Sequence, residues 1–179
     1  AQVAWRRGDL QYQLKSTQQK IAAKLAASKE EMFFLLCARR LGKSHMLVNL
    51  AVQTCLQRPG ARVLYLAPFA KDAGEISGDI AAKVLADCPP ALKPEYNSQA
   101  KELRFQNGSI VRIKGVNGEH AQYLRGGAAD LIILDECGLM DDLKHVLHDI
   151  CMPMTMTTDG RILLATTPAR SPSHESTKI

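Results

Sequence analysis

Residues 37–44 read Cys-Ala-Arg-Arg-Leu-Gly-Lys-Ser, and this octapeptide decides the fold. It follows the phosphate-loop pattern G-x-x-x-x-G-K-[ST], except that Cys37 replaces the first glycine. The apolar run before it predicts a buried strand over residues 32–38, and the pattern after it predicts a helix over residues 43–57. A loop between such a strand and helix directs backbone N–H groups at phosphates. The octapeptide therefore predicts a phosphate-binding loop.

Each residue type in this loop has a chemical reason. Gly42 lets the backbone approach the phosphates, Lys43 reaches the β- and γ-phosphates, and the Ser44 hydroxyl ligates Mg²⁺. The other predicted nucleotide-binding residues of the loop are Arg39, Arg40 and Leu41. A Gly-Lys-Ser tripeptide alone is common in loops, so the prediction depends on its position between a strand and a helix and on a second motif.

That second motif lies at residues 131–136, which read Leu-Ile-Ile-Leu-Asp-Glu. The apolar part predicts a strand over residues 131–134 that ends in two acids. Asp135 is predicted to hold Mg²⁺, and Glu136 to act as the general base that activates water. Alone, the two acids are equally compatible with a solvated strand end. Together with the phosphate loop they favour an ATPase whose cofactors are ATP and Mg²⁺.

The rest of the chain alternates strand-like and helical patterns. Helices are predicted over residues 14–27, 70–86 and 141–152, and strands over residues 62–67 and 161–165. Two further strands, over residues 101–105 and 109–114, flank Asn107-Gly108, which is typical of a hairpin turn. Apolar strands separated by helices predict an α/β fold with a mainly parallel sheet flanked by helices. We expect ligands to bind at the carboxyl ends of the strands.

The strand over residues 161–165 leads directly into Thr166 and Thr167. Hydroxyl residues at the end of a strand beside the acidic strand could sense the γ-phosphate, although an ordinary strand end is the alternative. The order of the strands suits a P-loop NTPase of the additional-strand type with a β-hairpin insertion. Thr166 and Thr167 are therefore the candidate coupling residues, which would link hydrolysis to movement.

Composition limits the class of protein. The chain has 179 residues and a net charge of +5, which is compatible with a nucleic-acid partner but does not establish one. We expect no membrane association, because no apolar run reaches the roughly 18–20 residues that a span needs. The five cysteines are scattered and form no C-x-x-C pair, which argues against a disulfide framework or a zinc site. We interpret residues 1–179 as one ATPase domain.

These motifs, in this order, resemble the ATPase domain of the large terminase subunit of tailed phages. Residues 37–44 lack the first glycine and place an arginine early, as that family does. The segment 105–109, Phe-Gln-Asn-Gly-Ser, resembles its F-x-N-G-S element, and residues 124–127, Leu-Arg-Gly-Gly, resemble its segment before the acidic strand. Residues 165–168, Ala-Thr-Thr-Pro, resemble its coupling motif. The resemblance spans roughly residues 14–168.

The resemblance implies ATP hydrolysis that powers translocation of double-stranded viral DNA into a procapsid. It implies a portal protein and a small terminase subunit as partners, in the cytoplasm of the host cell. It also implies a homo-oligomeric ring when the motor is active, while a monomer in isolation is compatible with the sequence. A complete large terminase carries a nuclease domain, for which this chain has no length. We therefore expect a truncated ATPase domain without nuclease activity.

Three further roles follow from the resemblance alone. Gln18 matches the glutamine that reads adenine, with an exposed glutamine on an amphipathic helix as the alternative. Arg39 matches the early loop arginine that responds to the γ-phosphate, whereas Arg40 could be a solvated neighbour. Arg125 matches an arginine finger toward the ATP of a neighbouring subunit, with a structural salt bridge as the alternative.

Two other functions compete with a packaging motor. Residues 64–68, Leu-Tyr-Leu-Ala-Pro, resemble a helicase element, so a helicase-like DNA-dependent ATPase is the main alternative. A helicase needs a second motor domain, which this chain does not contain. The other alternative is a binding module that uses nucleotide as a switch, but a pure switch does not need a base at Glu136.

Overall fold

The computed structural model describes residues 1–118, 124 and 127–168. The strands of these residues form a single mixed sheet of seven strands. The order across the sheet is β1-β7-β6-β2-β5-β4-β3. The strands are β1 Met32–Leu36, β2 Arg62–Ala67, β3 Glu95–Asn97, β4 Glu102–Arg104, β5 Ile110–Gly115, β6 Leu131–Asp135 and β7 Arg161–Thr166. The five strands from β1 to β5 in this order are parallel, and β4 and β3 add an antiparallel edge.

The position of β7 confirms the additional-strand architecture. β7 lies between β1, which leads into the phosphate loop, and β6, which ends in the acidic motif. Leu36 pairs with Thr166, and Asp135 pairs with Ala165 on the opposite side of β7. The predicted phosphate loop, the candidate coupling residues Thr166 and Thr167 and the two acids therefore lie at the same edge of the sheet.

Helices cover both faces of the sheet. They are α1 Gln2–Arg7, α2 Ser16–Ala27, α3 Lys43–Gln57, α4 Ala70–Glu75, α5 Ala81–Val84, α6 Leu143–His145 and α7 Met152–Thr155. π-helical turns, Ile76–Ile80 and Val146–Cys151, join α4 to α5 and α6 to α7, so the predicted helices over 70–86 and 141–152 each contain a widened turn. In the described residues, none of the helices combines the length and apolar character needed to cross a bilayer.

Alternating side chains of the central strands fill two separate cores. Tyr65 and Ile133 point toward α3, while Leu64 and Ile132 point to the opposite face, which the segment from Cys137 to Thr155 covers. Because β2 and β6 are buried on both faces, they are apolar at nearly every position. This double burial fixes the acidic end of β6 relative to α3.

The prediction of β1 as a buried strand is wrong. β1 ends at Leu36, and it lies at an edge of the described sheet, with Met32, Phe34 and Leu36 exposed to 36%, 38% and 61%. An apolar run reveals that a segment forms a strand, but it carries no information about the position of that strand in the sheet.

The predicted hairpin is confirmed. β4 and β5 pair antiparallel around Asn107-Gly108, and Gly108 has a φ of 82°, which favours glycine. The turn also docks on the end of α3, because Asn107 Nδ2 and Ser109 Oγ both donate hydrogen bonds to the carbonyl of Cys55. β3 was not predicted, since its three residues, Glu-Tyr-Asn, show no apolar alternation.

Candidate functional site

The candidate site lies where β1, β7 and β6 end and α3 begins. The backbone N–H of Cys37 donates to the carbonyl of Thr166 at 2.9 Å, which extends the pairing of β1 and β7 into the phosphate loop. This bond holds the loop directly beside the candidate coupling residues Thr166 and Thr167. In parallel sheets, ligands bind at this carboxyl end of the strands.

Gly42 shapes the loop at the start of α3. Its φ of 78° lies in the left-handed region, and it precedes the first residue of a fifteen-residue helix. A Cβ atom at this position would lie 2.8 Å from Nε2 of Gln18, which is too close. The unpaired N–H groups of the first turn of α3 suit a bound anion. Arg39 and Arg40 are exposed on the loop, and Arg40 has a φ of 64°.

Lys43 forms ion pairs with both acids of the second motif. Its ammonium group contacts Oδ1 of Asp135 and lies 2.8 Å from Oε1 of Glu136. Burial alone would lower the pKa of Lys43, but the charge of Asp135 and the hydrogen bonds to both acids outweigh burial and raise it. Lys43 is therefore a protonated cation between two carboxylates.

Asp135 is almost completely buried and accepts further hydrogen bonds. Ser44 Oγ donates to Oδ2 at 2.6 Å, and the Tyr65 hydroxyl donates to the same oxygen at 2.7 Å. The hydroxyl of Ser44 and the carboxylates of Asp135 and Glu136 are hard oxygen donors, the kind that Mg²⁺ prefers. The donor set thus fits the metal expected from the sequence.

Glu136 connects the acidic motif to the candidate coupling residues at the end of β7. Its Oε2 accepts hydrogen bonds from the backbone N–H of Thr167 at 3.3 Å and from the Thr167 hydroxyl at 3.4 Å. The Thr166 hydroxyl lies 3.5 Å from the same oxygen, and it accepts from the N–H of Gly138. Glu136 itself has a left-handed backbone with a φ of 50°. The end of β7 and the acidic motif are therefore in direct contact.

Gln18 supports the backbone of the phosphate loop. Its Nε2 donates to the carbonyls of Leu41 at 2.8 Å and Gly42 at 3.0 Å, and its Oε1 accepts from the N–H of Lys15 at 2.8 Å. The alternative of an exposed glutamine is wrong, because Gln18 is only 2% exposed. The amphipathic pattern of α2 did not show that its first turn packs on the loop.

The remaining predicted residue, Arg125, lies outside the described residues. A cavity of about 170 Å³ opens beside the other site residues. It is lined by Ser44, Asp135 and Glu136 and by α4 residues that include Asp72 and Glu75.

Sequence reasoning missed Tyr65 as a site residue. It is a tyrosine among the buried aliphatic residues that follow Arg62 in β2, and a buried tyrosine hydroxyl usually needs a partner, which is the signal that could have identified it. The identity of that partner could not be read from β2 alone.

The geometry agrees with a comparison against known families. The family model "Terminase large subunit, T4likevirus-type, N-terminal" matches residues 34–176, well over half of the chain. The chain belongs to this family. No curated protein matches the sequence of this terminase chain.

Solved structures of other terminases share its fold. One is the ATPase domain of the large terminase of Thermus phage P74-26, at 24% identity and a TM-score of 0.65, covering 82% of this chain and 63% of that chain. Another is the large terminase of a different, thermophilic bacteriophage, at 11% identity and a TM-score of 0.76, covering 93% of this chain and 42% of that chain.

The terminase of that thermophilic bacteriophage has also been solved in complex with ADP. The ADP complex matches at 12% identity and a TM-score of 0.69, covering 89% of this chain and 40% of that chain. At these identities the likeness shows a shared fold. The terminase chain described here thus spans less than two thirds of the length of each of these relatives.

Proposed function

We propose that this chain binds and hydrolyses ATP with Mg²⁺, and that hydrolysis powers the translocation of double-stranded viral DNA into a procapsid. The observation that carries the proposal is the contact of Lys43 and Ser44 with Asp135 and Glu136 at the carboxyl edge of the sheet. Membership of the terminase family and the ADP complex of the thermophilic-phage terminase support it.

Phosphate binding would use the loop and the start of α3. The N–H groups of the first helical turn and the Lys43 ammonium group would hold the phosphates. Lys43 would exchange its ion pairs with Asp135 and Glu136 for phosphate oxygens. Ser44 and Asp135 would then hold Mg²⁺, which when bound neutralises charge on the β- and γ-phosphate oxygens.

Glu136 would orient and deprotonate the attacking water. Its side chain is 32% exposed, so solvent reaches the carboxylate, whereas Asp135 beside it is closed off. Its contacts with Thr166 and Thr167 would let a change at the γ-phosphate move the end of β7. These contacts support the two threonines as coupling residues.

The remaining roles stay proposals. Arg39, Arg40 and Leu41 would contact the nucleotide from the loop, and Arg39 would respond to the γ-phosphate. Gln18 would read adenine while its amide supports the loop, and Arg125 would act on the ATP of a neighbouring subunit. For adenine reading, Gln18 would have to give up one of its two carbonyl contacts or use its free oxygen lone pair.

We infer that residues 1–179 belong to a single ATPase domain of a ring-forming motor. Its partners would be double-stranded DNA, a portal protein and a small terminase subunit, and it would work in the cytoplasm of the host cell. The match to the N-terminal part of the terminase large subunit supports this setting.

The first experiment measures ATP binding and Mg²⁺-dependent hydrolysis over a range of protein concentrations, with and without double-stranded DNA. Glu136→Gln should lower kcat by about 10²- to 10⁴-fold while ATP binding persists, because only the base is lost. Lys43→Ala should weaken ATP binding, because the buried cation that meets the phosphates is removed. Turnover that rises faster than linearly with concentration would indicate help from a neighbouring subunit.

Matched controls are available on the surface. Glu95→Gln on β3 and Lys93→Ala before it change the same side-chain types at exposed positions, and both should leave binding and turnover unchanged. ATP binding that survives Lys43→Ala would contradict the phosphate-loop assignment. If neither assembly nor DNA raises the rate of ATP turnover, the proposed motor function is contradicted.

A further inference from the structure

Tyr65 contacts the site, but the sequence motifs assign it no role. It lies in the middle of β2, is completely buried, and pairs with Ile133 on β6. Asp135 lies two residues beyond Ile133 on the same face of the sheet. Such a diagonal separation of about 7–8 Å is within reach of a long aromatic side chain. The phenol therefore spans from β2 to the acidic end of β6.

The contacts of Asp135 divide into two kinds. Lys43 and Ser44 belong to the phosphate loop and its helix, and the proposed function requires both to turn toward phosphate and Mg²⁺. Among the described residues with hydrogen bonds to this carboxylate, Tyr65 alone belongs to the sheet. Its contact with Oδ2 can persist when Lys43 and Ser44 change partners.

We propose that Tyr65 is a positioning residue that fixes the orientation of the Asp135 carboxylate for Mg²⁺. The inference rests on the proposed function, because it assigns Tyr65 a role toward the metal that Asp135 would hold. Groups that hydrogen-bond to a metal ligand orient it, and their loss typically weakens metal affinity about 10- to 100-fold. The rigid strand pairing of β2 with β6 makes Tyr65 suited to this task.

Tyr65→Phe tests the inference, since it keeps the buried ring and removes only the hydroxyl. The probe is a fluorescent ATP analogue, whose binding is titrated with Mg²⁺ and in the presence of EDTA. The Mg²⁺ concentration for half-maximal binding should rise about 10- to 100-fold, while the affinity without Mg²⁺ should stay unchanged. A merely structural role would change both affinities together.

Tyr96→Phe is the matched control. Its hydroxyl also makes one hydrogen bond, to Ser77 Oγ at 3.0 Å, but it lies on β3 at the far edge of the sheet. Its Mg²⁺ dependence should equal that of the unchanged chain. Equal Mg²⁺ dependence in Tyr65→Phe and the unchanged chain would overturn the inference, as would an equal loss of affinity with and without Mg²⁺.

Failure of the proposed function gives a different result. If the unchanged chain binds the analogue neither with nor without Mg²⁺, the ATPase proposal fails and the role of Tyr65 fails with it. If the unchanged chain shows Mg²⁺-dependent binding that Tyr65→Phe leaves unaltered, only the role of Tyr65 is overturned.

Discussion

The single ammonium group of Lys43 has three competing partners, which are Asp135, Glu136 and the phosphates of the proposed nucleotide. It contacts Asp135 and Glu136 at once, and the proposed phosphate contacts would use the same group. The two carboxylates outweigh the effect of burial and raise the pKa of Lys43, so the group stays protonated at neutral pH. Phosphate binding would therefore exchange one set of charge-assisted contacts for another, without a change of protonation on Lys43.

At Gly42, both the backbone conformation and the surrounding space oppose a side chain. Gly42→Ala adds a Cβ in the left-handed region and 2.8 Å from Nε2 of Gln18, so it should both strain the loop and displace Gln18. We expect ATP binding to weaken about tenfold or more, which corresponds to about 1.4 kcal/mol. Equilibrium binding of ATP together with thermal unfolding checks this.

Gly60→Ala separates the two effects of the Gly42 change. Gly60 has a φ of 73°, but a Cβ there would meet nothing within 4 Å, so only backbone strain of about 1–3 kcal/mol is expected, and ATP binding should persist. In a chain that also carries Gln18→Ala, Gly42→Ala should weaken ATP binding less, since the close contact between the new Cβ and Gln18 is gone. Equal effects of the two glycine changes on ATP affinity would argue against the contact.

At the level of elements, one carboxylate ties the N-terminal segment to the end of α5. Asp87 accepts hydrogen bonds from Trp5 Nε1 at 3.2 Å, Tyr12 Oη at 2.6 Å and Gln13 Nε2 at 2.9 Å. Trp5 is completely buried, so α1 is anchored to the body of the domain. This anchor also holds the segment that leads into α2 and Gln18.

Asp87→Ala should loosen this anchor. Loss of an acceptor shared by three partly exposed hydrogen bonds should lower the free energy of unfolding by about 1–2 kcal/mol. Because Trp5 is the only tryptophan, its fluorescence reports the change directly. Asp141→Ala, at an exposed loop position, is the matched control and should leave the fluorescence unchanged.

The same anchor should depend on pH. Slight burial would raise the pKa of Asp87, but the hydrogen bonds from Tyr12, Trp5 and Gln13 outweigh it and lower the pKa below its ordinary value. The stabilisation is then fully present above about pH 4 and is lost as the pH falls through the folded-state pKa. Trp5 fluorescence followed from neutral to acidic pH should shift in this range in the unchanged chain. A shift of the same size in Asp87→Ala would contradict the assignment to Asp87.

For the molecule as a whole, the edge strand β1 exposes apolar side chains to solvent. Met32, Phe34 and Leu36 point outward on one face, and within the described residues β1 pairs with β7 alone. Unpaired apolar strand edges favour association between chains, and charged residues on an edge oppose it.

We therefore expect this chain to self-associate as its concentration rises. Phe34→Lys should reduce the association, because a charge on the edge strand disfavours pairing with another chain. Val3→Lys is the matched control, since Val3 is 62% exposed on α1, away from the sheet. Sedimentation or light scattering over a concentration series measures the effect. Association that responds equally to both changes would rule out the β1 edge as its cause.

The sequence by itself determined where most elements lie and which candidate residues come together at the carboxyl edge of the sheet. Residues 43–57 and 62–67 form the predicted helix and strand with the predicted bounds, and the phosphate loop and Asp135-Glu136 meet as expected. These features depend on residues that are close along the chain, namely an apolar period, a turn residue or a motif of fixed spacing.

Only the tertiary structure decided the edge position of β1, the pairing of β3 with β4 and the partners of the buried polar groups. Tyr65 and Asp135 are seventy positions apart, and Gln18 lies more than twenty positions from Leu41 and Gly42. A buried donor needs an acceptor, and the packing of strands and helices decides which polar group lies close enough to accept. No local pattern encodes that choice, so the contact of Tyr65 with Asp135, on which its proposed role rests, became visible only in the folded chain.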